Sequence, residues 1–344
     1  MKVAILVPSL RKKGPVIVAV NLAKKLKEHA IDVTIFSLDI NSNDFDLYQI
    51  KVEKLGPRTF HKLKSFNVIH SHSLIPDLYN ALQTYVFNVK SVTTIHNDIF
   101  EDLKLEYSYH KARVINFLWR CTFKKISKCV CLTQFLRDKY AENIPALSGK
   151  LSFVYNGVSS NYDGYLSEDD IDALSFIQSR RDSGRVIIGT CCVITKRKGL
   201  EHLVGVARRM SSHDFFIVGD GCQLSNLKEL SIGLNNVFFL KPTRNPLKYM
   251  SLFDIYLMPS LSEGFGLATI EALIVGCDLV CSDIPTFREL FSDDISYFSL
   301  GNLISLENAL LTAKKNTKCI SDKYRDKFSQ ENMYSGYIQV YKNL

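Results

Sequence analysis

Residues 256–289 read YLMPSLSEGFGLATIEALIVGCDLVCSDIPTFRE, and this stretch decides the fold. The apolar run Ile255 to Met258 predicts a buried parallel strand. Pro259 and Ser260 end it, and the loop Ser262-Glu263-Gly264-Phe265-Gly266 follows. Leu267 to Val275 suits a helix, stopped by Gly276 where left-handed backbone costs least. A second apolar strand begins at Leu279. Strand, loop, helix and strand make a unit of parallel-sheet type.

The chemistry lies at the first turn of that unit. Gly264 and Gly266 let backbone approach a ligand closely. The N–H groups of Phe265, Gly266 and Leu267 open a helix, where the dipole favours an anion such as phosphate. Two carboxylates flank the same turn, Glu263 in the loop and Glu271 one turn into the helix. Carboxylates repel phosphate, so they call for another part of the same guest. Hydroxyl groups fit, because an ionised carboxylate only accepts hydrogen bonds. Phosphate, hydroxyls and an apolar floor together describe a sugar nucleotide.

Glu263 and Glu271, separated by seven residues within SEGFGLATIEAL, resemble the paired-glutamate motif of the retaining family 4 glycosyltransferases. The bare spacing is common; the surrounding EGFG and IEA context is specific. The resemblance implies the α/β GT-B fold, with two Rossmann-like doubly wound parallel-sheet domains facing across a cleft. It implies an acceptor-binding domain over 1–160, a nucleotide-sugar domain over 161–326, and a terminal helix over 327–344 that crosses back.

Outward from the motif, Val186 to Val193 predicts a strand leading into Thr195-Lys196-Arg197-Lys198-Gly199. Three cations before a helix N-terminus suit an anion. In the resembling family an arginine and a Lys-Gly pair grip the diphosphate here. Lys198-Gly199 matches, but the arginine's place holds Val193, which leaves Lys196 or Arg197 to supply that charge. Gly219-Asp220-Gly221 resembles the glycine turn under the nucleotide, where glycine permits close backbone packing on a ligand. Asn245 to Phe253 predicts a short helix. The resemblance also implies that Glu263 holds donor-sugar hydroxyls, Glu271 the ribose hydroxyls, and Lys198 the departing diphosphate.

The first half has the same βα rhythm. Val3 to Val7 predicts a strand, Pro8 to Lys13 a loop, and Val16 to Leu26 a helix. Gly14 at its start suits close backbone approach to the donor. Strands end at His70-Ser71-His72 and at His96-Asn97, along the edge where open α/β sheets bind ligands. No third metal ligand accompanies the histidines. The resemblance places His96 near the reacting sugar and His72 on the acceptor side, whereas His70 reads equally as a core residue. Asn156-Gly157-Val158 resembles an element at the domain junction and puts Asn156 on the acceptor side. The polar, acidic run 159–184 reads as an interdomain connection with one short helix.

Composition narrows the classes. Of 344 residues, 46% are hydrophobic and 23% charged, as in globular proteins. No apolar run approaches the roughly 20 residues of a membrane span. MKVAILVPSL lacks a cleavage site and reads as a strand rather than a signal peptide. Nine cysteines without a C-x-x-C suit reduced thiols in the cytoplasm. The net charge of +8 is uneven: residues 1–165 carry 23 Lys and Arg against 14 Asp and Glu. No recognised nucleic-acid motif accompanies that charge. An anionic membrane surface or a lipid-pyrophosphate acceptor is the other account. Within 101–128 a helix would align Val114, Phe117, Leu118 and Cys121, ringed by Lys111, Arg113, Arg120, Lys124 and Lys125. Such a stripe is either an interfacial face or core with basic edges.

The expected activity is retaining transfer of a hexose or N-acetylhexosamine from a nucleoside diphosphate sugar, UDP favoured. The acceptor is a glycan or a polyprenyl-pyrophosphate-linked glycan, in surface-polysaccharide assembly. Neither metal nor cofactor is expected. The protein would be cytoplasmic and peripheral on the inner face of the membrane. A phosphorylase or epimerase on the same fold, or a silent binding homologue, remains open.

Overall fold

A computed structural model describes residues 1–47, 49–158 and 166–344. The chain divides into two compact units, Met1–Gly157 with Phe328–Leu344, and Val158–Lys327.

The first unit is built on seven strands: β1 (Lys2–Leu10), β2 (Asp32–Asn43), β3 (Lys51–Lys54), β4 (Val68–His72), β5 (Ser91–Ile95), β6 (Lys128–Cys131) and β7 (Leu151–Phe153). They form one sheet in the order β3-β2-β1-β4-β5-β6-β7, every pairing parallel. Helices cover such sheets on both faces, so their strands are apolar without alternation. Val3 to Val7 accordingly have no exposed surface. β1 runs on to Leu10, so part of the predicted loop is strand: Ser9 pairs with Asp39 and Leu10 with Asn43. The helix after it is Gly14–Glu28, with proline in the first turn, where a missing N–H costs nothing.

The terminal helix Gln330–Lys342 belongs to this unit and packs on Gly14–Glu28. Met333, Tyr337 and Tyr341 are buried along its inner side. Tyr341 Oη lies 2.7 Å from His70 Nδ1, and Tyr337 Oη lies 2.7 Å from Thr94 Oγ1. His70 is therefore a fully buried core residue, with Thr94 Oγ1 at 2.8 Å from its Nε2.

The second unit carries β8 (Val186–Cys191), β9 (His213–Val218), β10 (Val237–Leu240), β11 (Ile255–Met258), β12 (Asp278–Ser282) and β13 (Ser296–Phe298). Their order is β10-β9-β8-β11-β12-β13, again all parallel. The chain reverses direction across the sheet between β8 and β11. That switch point, at the carboxyl ends of the strands, is where open α/β sheets hold ligands.

Three local expectations change. The connection before β8 opens in residues outside those described, but its helix is not short: Glu168–Asp182 has 15 residues. Ser167 and Asp170 form a reciprocal capping box, a strong start signal hidden in an acidic run. The helix before β11 spans only Pro246–Met250. The stripe on Tyr109–Lys125 is not core: Val114 is 59% and Phe117 65% exposed, and Cys121 is exposed.

Candidate functional site

The loops after β8 and β11 meet at the switch point of the second unit. Lys196–Lys198 forms one turn of 3-10 helix, ended by Gly199. Opposite it, Ser260 to Gly266 joins β11 to the helix Leu267–Val275. Leu261 N–H donates to the Arg197 carbonyl at 2.8 Å, and Arg197 Nη1 donates to the Ser262 carbonyl at 2.8 Å. Thr286 Oγ1 donates to the Glu263 carbonyl, and Ser282 Oγ to that of Ser260. The two loops are thus tied to each other and to the strands beneath.

Glu263 is the centre of this junction. Its Oε1 accepts from Lys198 Nζ at 2.5 Å and Ser260 Oγ at 2.9 Å, and its Oε2 lies 2.9 Å from Arg197 Nη1. Glu263 is 6% exposed. Burial opposes its ionisation, but Arg197 and Lys198 outweigh burial and hold the carboxyl down to about 2. Sequence reasoning assigns Glu263, Arg197 and Lys198 separate tasks; the fold brings them into one cluster. Ser260, the third partner, reads in the sequence only as a strand terminator.

Glu271 has the opposite setting. Burial alone pushes its carboxyl up to about 7. No side-chain partner holds it among the described residues. Two carboxylates flanking one turn are therefore driven in opposite directions, one by cations and one by desolvation. Lys196 is exposed, and so is Val193, at 59%. Since Arg197 is directed onto Glu263, Lys196 is the cation left facing outward.

Phe265 is buried, while Gly266 opens the helix in left-handed backbone at φ 80° and Leu267 begins it. A Cβ at Gly266 would lie 2.9 Å from the Phe287 ring. The Gly219 and Gly221 pair has another reason than a ligand. Cβ atoms there would lie 2.0 Å from the Cys192 carbonyl oxygen and 2.2 Å from that of Ile194. These glycines bring the turn after β9 against the loop after β8, and so support the cation loop from behind. Gly14 differs again: a Cβ there would meet nothing within 4 Å. Among the described residues no packing demands that glycine.

In the first unit, His96 is the half-buried end of a histidine pair, 2.8 Å from His72 Nδ1 through its Nε2. His72 is fully buried beneath it. Burial pushes His96 down to about 3, and His72 well below its ordinary value. Both rings are neutral near pH 7. Asn156 is 2% exposed, and its Oδ1 has no hydrogen-bond partner among the described residues.

His96 lines an open-sided cavity of about 330 Å³ whose lining residues all belong to the first unit. Asp77 and Trp119 line it too, and sequence reasoning missed both. Asp77 Oδ1 accepts from Ser71 Oγ and Thr93 Oγ1, each at 2.7 Å, and Oδ2 from Trp119 Nε1 at 3.2 Å. Burial raises its carboxyl to about 7 despite these donors. The available signal was a lone charge in LIPDLYNALQTYVF, a helix otherwise without one.

Two parallel-sheet α/β units, one with a cation–carboxylate junction at its switch point, match the architecture of GT-B glycosyltransferases. Comparison with known proteins agrees. Residues 13–162 match Glycosyltransferase Family 4, and residues 172–334 match Glycosyl transferases group 1. The O-antigen biosynthesis glycosyltransferase WclY of Escherichia coli is 32% identical over 100% of this chain and 99% of its own. The UDP-Gal:alpha-D-GlcNAc-diphosphoundecaprenol alpha-1,3-galactosyltransferase of Escherichia coli is 22% identical over 73% of this chain and 67% of its own. The crystal structure of Anabaena Alr3699/HepE in complex with UDP and glucose superposes with a TM-score of 0.80, at 17% identity and full coverage of both chains. The chain belongs to the family 4, group 1 glycosyltransferases.

Proposed function

We propose that this glycosyltransferase moves a hexose or N-acetylhexosamine from a UDP-sugar to a lipid-linked glycan in O-antigen assembly, with retention at the anomeric carbon. The observation that carries the reading is the Arg197–Glu263–Lys198 junction at the β8/β11 switch point. There the leaving group is a nucleoside diphosphate, whose negative charge grows as the glycosidic bond breaks. Preorganised cations and helix N–H groups aimed at developing charge commonly contribute more to catalysis than any other single effect. In this reading Lys198, Lys196 and the backbone N–H groups of Gly266 and Leu267 meet that charge, with Lys198 and Arg197 both held by Glu263. Glu271 takes the ribose hydroxyls in its ionised form. Glu263 serves the donor sugar. With the charge met by protein cations, turnover in EDTA should match turnover in magnesium.

The UDP preference draws on the relatives, since a UDP-galactose enzyme and a UDP-bound structure are among them. The lipid-linked acceptor draws on the diphosphoundecaprenol substrate named for one of them. It also fits the surface of the first unit. Ile75, Leu82, Tyr85, Val114 and Phe117 are exposed on the two packed helices Leu74–Phe87 and Tyr109–Lys125. Lys111, Arg113, Lys124 and Lys125 lie beside them. Apolar side chains among cations suit an anionic membrane surface. No helix among the described residues is long and apolar enough to cross a membrane.

The test is transfer from UDP-sugars to an N-acetylglucosaminyl diphosphoprenol, with the anomeric coupling of the product read by NMR. Transfer with the donor's configuration supports the reading; an inverted product overturns it. Binding without turnover is the second reading, favoured by the valine at position 193. It would show as UDP affinity with no product over a range of acceptors.

A further inference from the structure

We infer that the cavity beside His96 is a slot for the hydrocarbon chain next to the acceptor's diphosphate, with room for about two isoprene units. The inference rests on the lipid-linked acceptor proposed above and names where its lipid lies.

The walls decide the ligand class. The helices Leu74–Phe87, Ile99–Glu106 and Tyr109–Lys125 contribute Leu74, Leu103, Ile115, Trp119 and Phe123. Sugar rings need hydrogen-bonding partners when taken from water, and these walls supply almost none. The one carboxylate among the lining residues, Asp77, is engaged by Ser71, Thr93 and the Trp119 indole. Those bonds turn the polar edge of Trp119 toward Asp77 and leave its ring faces for apolar contact. Trp119 also stacks on Phe123, with centroids 6.4 Å apart.

The polar groups collect elsewhere. Ser73, Thr94, His96 and Asn97 lie at the carboxyl ends of β4 and β5. Pro8 and Pro15 also line the cavity. An amphiphile is thus matched end to end: Ser73, Thr94, His96 and Asn97 for the polar head, helices for the chain. At the outer side, Ile75 is 52% and Tyr107 38% exposed, so the slot reaches the surface there. A longer chain can leave there toward a membrane.

The volume sets the length. At about 30 Å³ per water-sized group, 330 Å³ holds on the order of ten heavy atoms. That is roughly two five-carbon units.

Trp119 is the only tryptophan in the chain and reports directly. The full-length protein is titrated with dimethylallyl, geranyl and farnesyl diphosphate, and with inorganic diphosphate, while Trp119 emission is followed. Affinity should rise at least about tenfold from dimethylallyl to geranyl diphosphate, then level off at farnesyl. Inorganic diphosphate should leave the emission unchanged. Ile115→Phe fills the slot and should weaken geranyl diphosphate at least about tenfold. UDP-induced thermal shifts in the same samples show that each variant is folded and report the donor site separately. No saturable change with geranyl diphosphate, or affinity that climbs evenly with length as for unspecific partition, overturns the slot even where UDP still binds. Prenyl diphosphate binding without any UDP binding supports the slot and overturns the transferase reading.

Discussion

Replacing Glu263 by glutamine separates its structural role from its chemical one. The carboxyl sits near 2 in the folded protein against an ordinary value of 4.5. A tenfold change in an ionisation constant is worth about 1.4 kcal/mol, so the ionised group contributes on the order of 3 kcal/mol. Little of this is lost to solvent screening, since the side chains of Glu263, Lys198 and Arg197 are 6%, 12% and 15% exposed. For a domain of this size, about 3 kcal/mol is roughly 6–12 °C in melting temperature. The sign follows from linkage: a depressed carboxyl stabilises fully above about 4.5, and the contribution fades as pH falls toward 2. The gap between wild type and Glu263→Gln should therefore be constant from about pH 5 to 8 and shrink below about 4.5. UDP affinity should not fall, because Arg197 and Lys198 lose a competing anion. Donor turnover should drop about a hundredfold, because the ammonium of Lys198 is no longer fixed. Differential scanning fluorimetry with and without UDP, beside a nucleotide-release assay, reads all three. A melting temperature unchanged within a degree, or UDP binding abolished in a folded variant, would refute the reasoning.

Other residues give independent checks. Glu271 is lifted to about 7, so its ionised form grows as pH rises through 7; UDP affinity measured by calorimetry should rise between about pH 6 and 8 and then level off. Glu271→Gln should bind weakly with no such dependence, and an identical pH profile in the variant would contradict the ribose assignment. Val193→Arg places a cation at an exposed position beside the cation loop and should tighten UDP about tenfold, the scale of one charge-assisted hydrogen bond; unchanged affinity would count against a diphosphate there. Tyr341→Phe removes the hydroxyl beside His70 and should cost about 1–3 kcal/mol in denaturant unfolding. UDP affinity should stay as in wild type, and a change would mean that the terminal helix does more than pack.

The second unit was readable because its signals are local. Four apolar residues, a glycine loop and a nine-residue helix ended by Gly276 lie where the run 255–276 puts them. Buried parallel strands are short apolar runs, and turn glycines punctuate them. What escaped depends on contacts far apart in sequence. A helical stripe shows that Val114 and Phe117 share a face, but not whether another element covers it. Gly219 and Gly221 stand out as a pair, yet only the fold shows the carbonyls of Cys192 and Ile194 against them. Glu263 and Lys198 are 65 residues apart, and no pattern in either segment announces their ion pair. The histidines at the ends of β4 and β5 are visible in the sequence, but that His70 is core follows from the terminal helix, whose Tyr341 hydroxyl meets it.

The central claim is that the β8/β11 switch point holds and activates a nucleotide sugar. Donor hydrolysis without acceptor tests it most directly, with uridine, guanosine and adenosine diphosphate sugars run in parallel against wild type and Lys198→Met. The account predicts slow nucleotide release from a UDP-sugar, lost in the variant while its fold persists. Release unaffected by Lys198→Met, or no binding of any of these nucleotides, would contradict it.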